Sequence, residues 1–151
     1  MKLLKQSRGS WQYALEQREG VLLRMLIEDF PPPTAAPAKI TRTGTGTKSA
    51  DRQRLLDESL AGHRQDLKEK GMKLLATRLK STTDGWRLSM TPDQREVLLQ
   101  LLNDVRVESW HGLGEPENLD APPPKCTDKQ LRQHQLMHLA GYFEWKMLEE
   151  G

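Results

Sequence analysis

The pair most suggestive of chemistry is His134 and His138, four residues apart in "HQLMH". On a helix they share one face, the arrangement by which zinc hydrolases grip their metal. Hydrolysis also needs a third ligand and a carboxylate that takes the proton from metal-bound water. The residue after the first histidine is Gln135, and an amide cannot be that base. The zinc-protease reading therefore fails. What stands is a candidate metal pair, with His111 or Glu144 as third ligand, weighed against two ordinary histidines on an amphipathic helix. No cofactor is expected.

"GTGTKS" (44–49) has the flavour of a phosphate loop. Such a loop requires Gly, four residues, then Gly-Lys-Ser/Thr between a strand and a helix. Here Thr47 separates Gly46 from Lys48, no glycine stands where the first belongs, and a proline-rich run replaces the strand. Only Ser49, as a helix N-cap, survives. In "VLLQLLNDVRVESWHGLG" (97–114), Asn103, Asp104 and Arg106 interrupt an apolar run. They read as a structural polar face, with Arg106 expected to pair with a carboxylate of the last helix. A buried charge left unpaired would be costly. Trp110 and Trp145 read as helix-packing residues. No Ser-His-Asp order, Cys-His pair or glycine fingerprint accompanies them, so the chain leans away from being an enzyme.

These residues need elements to hold them. "WQYALEQREGVLLRML" (11–26) is echoed by "WRLSMTPDQREVLLQLL" (86–102), with a one-residue shift. In each, Trp11, Tyr13, Leu15 or Trp86, Leu88, Met90 alternate as a half-buried strand does, and a Leu-rich helix follows. "KLLKQ" (2–6), "SRGS" and 11–15 predict a hairpin, joined by strand 86–90 after the turn "TTDG" (82–85). Thr91-Pro92-Asp93-Gln94 supplies N-cap, N1 proline and N3 glutamine, a capping box, and Thr127-Asp128-Lys129-Gln130 repeats the logic. The last helix carries Leu136, Leu139, Ala140, Phe143 and Met147 at helical spacing. Residues 50–80 read as helix along Leu56, Leu60, Leu67 and Leu74, with Gly71 as a break. The expectation is a single α+β domain, predominantly α, with about three short antiparallel strands and four helices. A flexible Pro/Gly/Thr-rich loop is expected at 31–48 and a second loop at 111–126.

Charge narrows the partners. The net charge is only +2, yet residues 1–75 hold 14 Lys+Arg against 9 Asp+Glu, and 76–151 hold 9 against 12. From 39 to 80 there are 11 basic and 5 acidic residues. Lys39, Arg42, Lys48, Arg52 and Arg54 are the candidate nucleic-acid contacts, sensitive to salt. No aromatic residue lies in that stretch to stack bases. One cysteine, Cys126, rules out an internal disulfide, and no signal-like or membrane-spanning apolar run is seen, so a cytoplasmic protein is expected.

The segments "GWRLSMTPDQREVLLQLLNDVRVESWHGLGEPE" and "LRQHQLMHLAGYFEWKMLEE" resemble a bacterial family of small helical proteins catalogued as a domain of unknown function. The resemblance covers most of the chain and implies a bacterial, single-domain protein with no assigned activity. It carries over no functional residue. The residues themselves point to a non-catalytic interaction or adaptor-like module with a protein partner; a nucleic-acid-binding regulator is the alternative and a metal-binding protein the third reading. Self-association remains open, and no membrane partner is expected.

Overall fold

The two alternating stretches become the centre of a sheet. In the computed structural model of the chain, residues 1–32 and 47–149 are described, the side chain of Thr47 excepted. Strands β1 (Lys2–Ser7), β2 (Ser10–Leu15), β3 (Leu79–Thr82) and β4 (Gly85–Met90) form one antiparallel sheet in the order β1-β2-β4-β3. Helices α1 (Gln17–Glu28), α2 (Thr47–Arg78), α3 (Pro92–Gly112) and α4 (Asp128–Glu149) complete the chain. The architecture is α+β and predominantly α, with four strands rather than three. The extra strand is β3, whose four residues follow α2 without a break and so read as the tail of that helix.

Alternation decides which face of the sheet is buried. Tyr13, Leu15, Leu88 and Met90 are buried beneath the helices, with Trp11 and Trp86 partly buried beside them. Leu23, Leu26 and Ile27 of α1, Leu98, Leu101 and Leu102 of α3, and Leu136, Ala140, Phe143 and Met147 of α4 close the same core. In α2, Leu67 and Leu74 are buried while Leu56 and Leu60 are half-exposed. Gly71 does not break α2, which runs as one helix of 32 residues. Its missing side chain is a packing device: a Cβ there would come within 2.9 Å of Ile27 and 3.0 Å of Leu101.

Both expected capping boxes form. Thr91 accepts from the Gln94 amide at 3.2 Å while the Gln94 side chain accepts from Thr91 N at 3.0 Å, and Thr127 and Gln130 do the same at 3.2 and 3.0 Å. A third box, unforeseen, opens α1 between Glu16 and Glu19. It fixes the register of the internal echo. N-caps Glu16 and Thr91, buried Leu23 and Leu98, Leu26 and Leu101, and Ile27 and Leu102 all stand 75 residues apart. The repeat is therefore hairpin-then-helix without any shift. The shared Gln-Arg-Glu letters lie out of structural register, because Gln94 is the counterpart of Glu19.

The two copies meet at β2 and β4, where Trp11 faces Met90, Tyr13 faces Leu88 and Leu15 faces Trp86. This pairing maps onto itself when the copies are exchanged, as at a two-fold axis. The Trp contacts then diverge. Trp86 lies against Gly20 of α1, whereas Trp11 lies under the guanidinium of Arg95, the residue equivalent to Gly20, at 5.2 Å from the ring centre. Near the axis, Tyr13 is fully buried, and its hydroxyl finds no hydrogen-bond partner among the described residues. An unpaired buried hydroxyl carries a desolvation cost with no return. Tyr13→Phe is thus expected to leave stability unchanged or raise it by about 1 kcal/mol, read from the urea midpoint. A comparable loss would mean the hydroxyl has a partner after all.

Candidate functional site

On the strands the polar phase of the alternation forms the second face of the sheet. Lys2 is opposite Ala14, Ala14 opposite Arg87, and Arg87 opposite Lys80, so one row crosses all four strands and carries three cations. In the neighbouring row, Lys5 stands opposite Gln12 and Gln12 opposite Ser89. Lys2, Lys5, Lys80 and Arg87 are all exposed. Residues 1–15 and 79–90 together hold five Lys+Arg and one carboxylate, Asp84 of the β3–β4 turn. Among the described residues none of the four strand cations has an ion-pair partner. With strands about 4.8 Å apart, like charges sit close together on one open surface.

The expected basic site lies elsewhere. Lys39 and Arg42 fall outside the described residues. Lys48, Arg52 and Arg54 are exposed on the first turns of α2. The signal that could have revealed the sheet face was already in the strands: cations at the polar positions of an alternation noted only for its apolar phase.

Between the helices, charges are paired. Arg64 of α2 donates from Nε to Asp104 at 3.2 Å and from Nη2 to Glu108, with only 14% of the arginine side chain exposed. Arg106 reaches Glu144 of α4 at 2.8 Å, the pairing expected from the sequence. Asn103 is exposed beside them. Asp104 and Arg106 thus serve α2–α3 and α3–α4 docking, and Asn103 belongs to neither pair. At the start of α1, Glu19 accepts from the Met1 ammonium, from the Tyr142 hydroxyl and from the Glu16 amide at 2.8 Å. Burial alone would raise its pKa, but these donors outweigh burial and hold it below the usual carboxylate value.

The histidines do come together. His134 Nε2 and His138 Nε2 are 3.1 Å apart, both facing the Leu119 carbonyl oxygen. Neither expected third ligand joins them: Glu144 is held by Arg106, and His111 pairs with Glu115 at 2.8 Å. Among the described residues no three His, Cys, Asp or Glu side chains converge. Trp110 is half-buried and donates to the Pro116 carbonyl at 3.1 Å, but Trp145 is 53% exposed, so only the first of the two tryptophans packs between elements. The groove lined by Asn103, Arg106, Val107, Trp110, Leu119 and Met137 holds ≈ 230 Å³, below the range of ordinary ligand pockets. No described helix is long and apolar enough to cross a membrane.

No protein-family model, curated protein or solved structure matches the chain.

Proposed function

We propose that the protein is a non-catalytic binding module whose recognition surface is the open basic face of its sheet, and that its partner is the phosphate backbone of duplex nucleic acid. The observation that carries this reading is the row of Lys2, Arg87 and Lys80 across the strands, with Lys5 beside it and no carboxylate on the strands. Clustering unpaired like charge costs stability unless an anion neutralises it. The face also carries Gln12, Ala14 and Ser89 but no aromatic ring, so it offers no platform for stacking unpaired bases. That favours a backbone over single strands, and charge-driven binding over sequence readout. The sequence favoured a protein partner, with a nucleic-acid-binding regulator as the alternative; that alternative is taken up here, and its surface moves from the 39–80 stretch to the sheet.

Binding should follow counterion release. Four phosphate contacts predict a slope of about −3.6 for log affinity against log salt, so affinity falls roughly 100-fold between 50 and 200 mM salt. Fluorescence anisotropy with duplex DNA and duplex RNA measures this. Replacing Lys2, Lys5, Lys80 and Arg87 by Gln should flatten the slope and abolish most binding, whereas Lys48→Gln with Arg52→Gln and Arg54→Gln should change it little. Equal loss in both variants, or a preference for anionic vesicles over duplex, would overturn the proposal.

A further inference from the structure

The segment between α3 and α4 is held to α4 by a cluster whose contacts cannot all be hydrogen bonds. The Leu119 carbonyl oxygen lies 3.2 Å from His134 Nε2 and 2.6 Å from His138 Nε2, and the two nitrogens are 3.1 Å apart. Three atoms thus make three close contacts. If both nitrogens carry protons, both can donate to the oxygen, but the N–N contact then sets donor against donor. If only one carries a proton, the lone pair of the other faces the carbonyl oxygen. No choice of tautomers makes all three contacts attractive. The rings do not compensate by stacking, since their planes are tilted by 60°.

A cation resolves the conflict, because all three atoms then act as lone-pair donors to one centre. Metal–nitrogen bonds of about 2.0–2.1 Å put neighbouring donors roughly 2.9–3.4 Å apart, from octahedral to tetrahedral angles. Two edges of the triangle, 3.1 and 3.2 Å, fall in that range, and the 2.6 Å edge requires the carbonyl to move by a few tenths of an ångström. Imidazole nitrogens with one carbonyl oxygen suit a late first-row divalent ion rather than calcium or magnesium. His138 is exposed and His134 half-exposed, so water can fill the remaining positions.

We propose that His134 Nε2, His138 Nε2 and the Leu119 carbonyl oxygen bind a divalent ion of the zinc, nickel or copper type, which clips the 113–127 segment to α4. The role proposed for the ion is to hold that segment, and Gln135 beside it provides no base. The clip is independent of the sheet face and stands or falls separately from nucleic-acid binding.

The test uses the full chain, free of any tag and stripped of metal, with Zn²⁺ delivered against a competing chromogenic chelator. One ion per chain is expected. His134→Ala and His138→Ala should each weaken binding at least about 10-fold, while His63→Ala and His111→Ala leave it unchanged; far-UV circular dichroism checks that each variant folds. Limited proteolysis then tests the carbonyl: Zn²⁺ should slow cleavage within 113–127 in the parent protein and not in the two histidine variants. Binding no tighter than in the His134→Ala/His138→Ala double variant overturns the site. Binding without protection of the segment overturns the clip, since it would mean that the two imidazoles chelate alone.

Discussion

Arg64→Ala should destabilise the protein by about 2–4 kcal/mol, somewhat below the roughly 3–5 kcal/mol for breaking a fully buried ion pair because the site is partly exposed. The arginine spans Asp104 and Glu108, which lie four residues apart on α3 and whose side chains are 24% and 10% exposed. Without the guanidinium, two carboxylates face each other at helical spacing with no counter-charge, which repels where the pair formerly attracted. Glu108 is the more exposed to this penalty, because its second oxygen is buried and already lacks a partner among the described residues. The loss should therefore be partly recovered by Asp104→Asn and Glu108→Gln added to Arg64→Ala, even though these remove more native groups. Urea unfolding of the single and triple variants measures it. A loss under about 1 kcal/mol, or no recovery in the triple variant, would show that the pairing is a surface contact of small value.

The second large effect is at Gly20. In an exposed helix, Gly→Ala ordinarily gains close to 1 kcal/mol from propensity. Here a Cβ would lie 2.1 Å from Trp86 Cδ1 and 2.3 Å from its Cγ, so the indole must leave its seat on the central strand. Gly20→Ala should accordingly cost about 1–3 kcal/mol net, as overpacking does, and Gly20→Val more. The decisive comparison is in a Trp86→Leu background, where the ring that blocks the methyl group is gone. There the sign should reverse and Gly20→Ala should stabilise. If Gly20→Ala stabilises the parent protein, the close Trp86 contact is not what keeps residue 20 bare.

Much of the fold was legible because local signals agreed with one another. The capping boxes at Thr91 and Thr127 and the alternation at 11–15 and 86–90 each need only a few neighbouring residues to be read. The Arg106 pairing with the last helix was legible too, since a polar side chain in a Leu-rich run must find a partner. What escaped depended on residues distant in the chain. Strand β3 has four residues and is a strand only because β4 lies beside it. Gly71 has the look of a helix breaker until Ile27 and Leu101 are brought against it. The basic face escaped for the same reason: Lys2 and Arg87 become neighbours in one row only through Ala14, so a scan for charge along the chain settles on 39–80. Leu119 was invisible as a partner of the histidines because a backbone carbonyl has no signature in the side-chain alphabet.

The self-mapping contact of β2 with β4 also sets the order of costs as the chain assembles. Each hairpin closes a two-residue turn, at Arg8–Gly9 and at Thr83–Asp84, so the closure entropy of β1–β2 and of β3–β4 is small. Joining β2 to β4 brings together Leu15 and Trp86 across about 70 intervening residues, a closure whose entropy cost grows with loop length and so exceeds that of either turn, by roughly 3 kcal/mol in the length-dependent part. Nothing local rewards that closure; only the simultaneous burial of Tyr13, Leu88 and the two helical leucine rows does. The centre of the sheet, the most symmetric part of the molecule, is thus the part that neither half can complete alone.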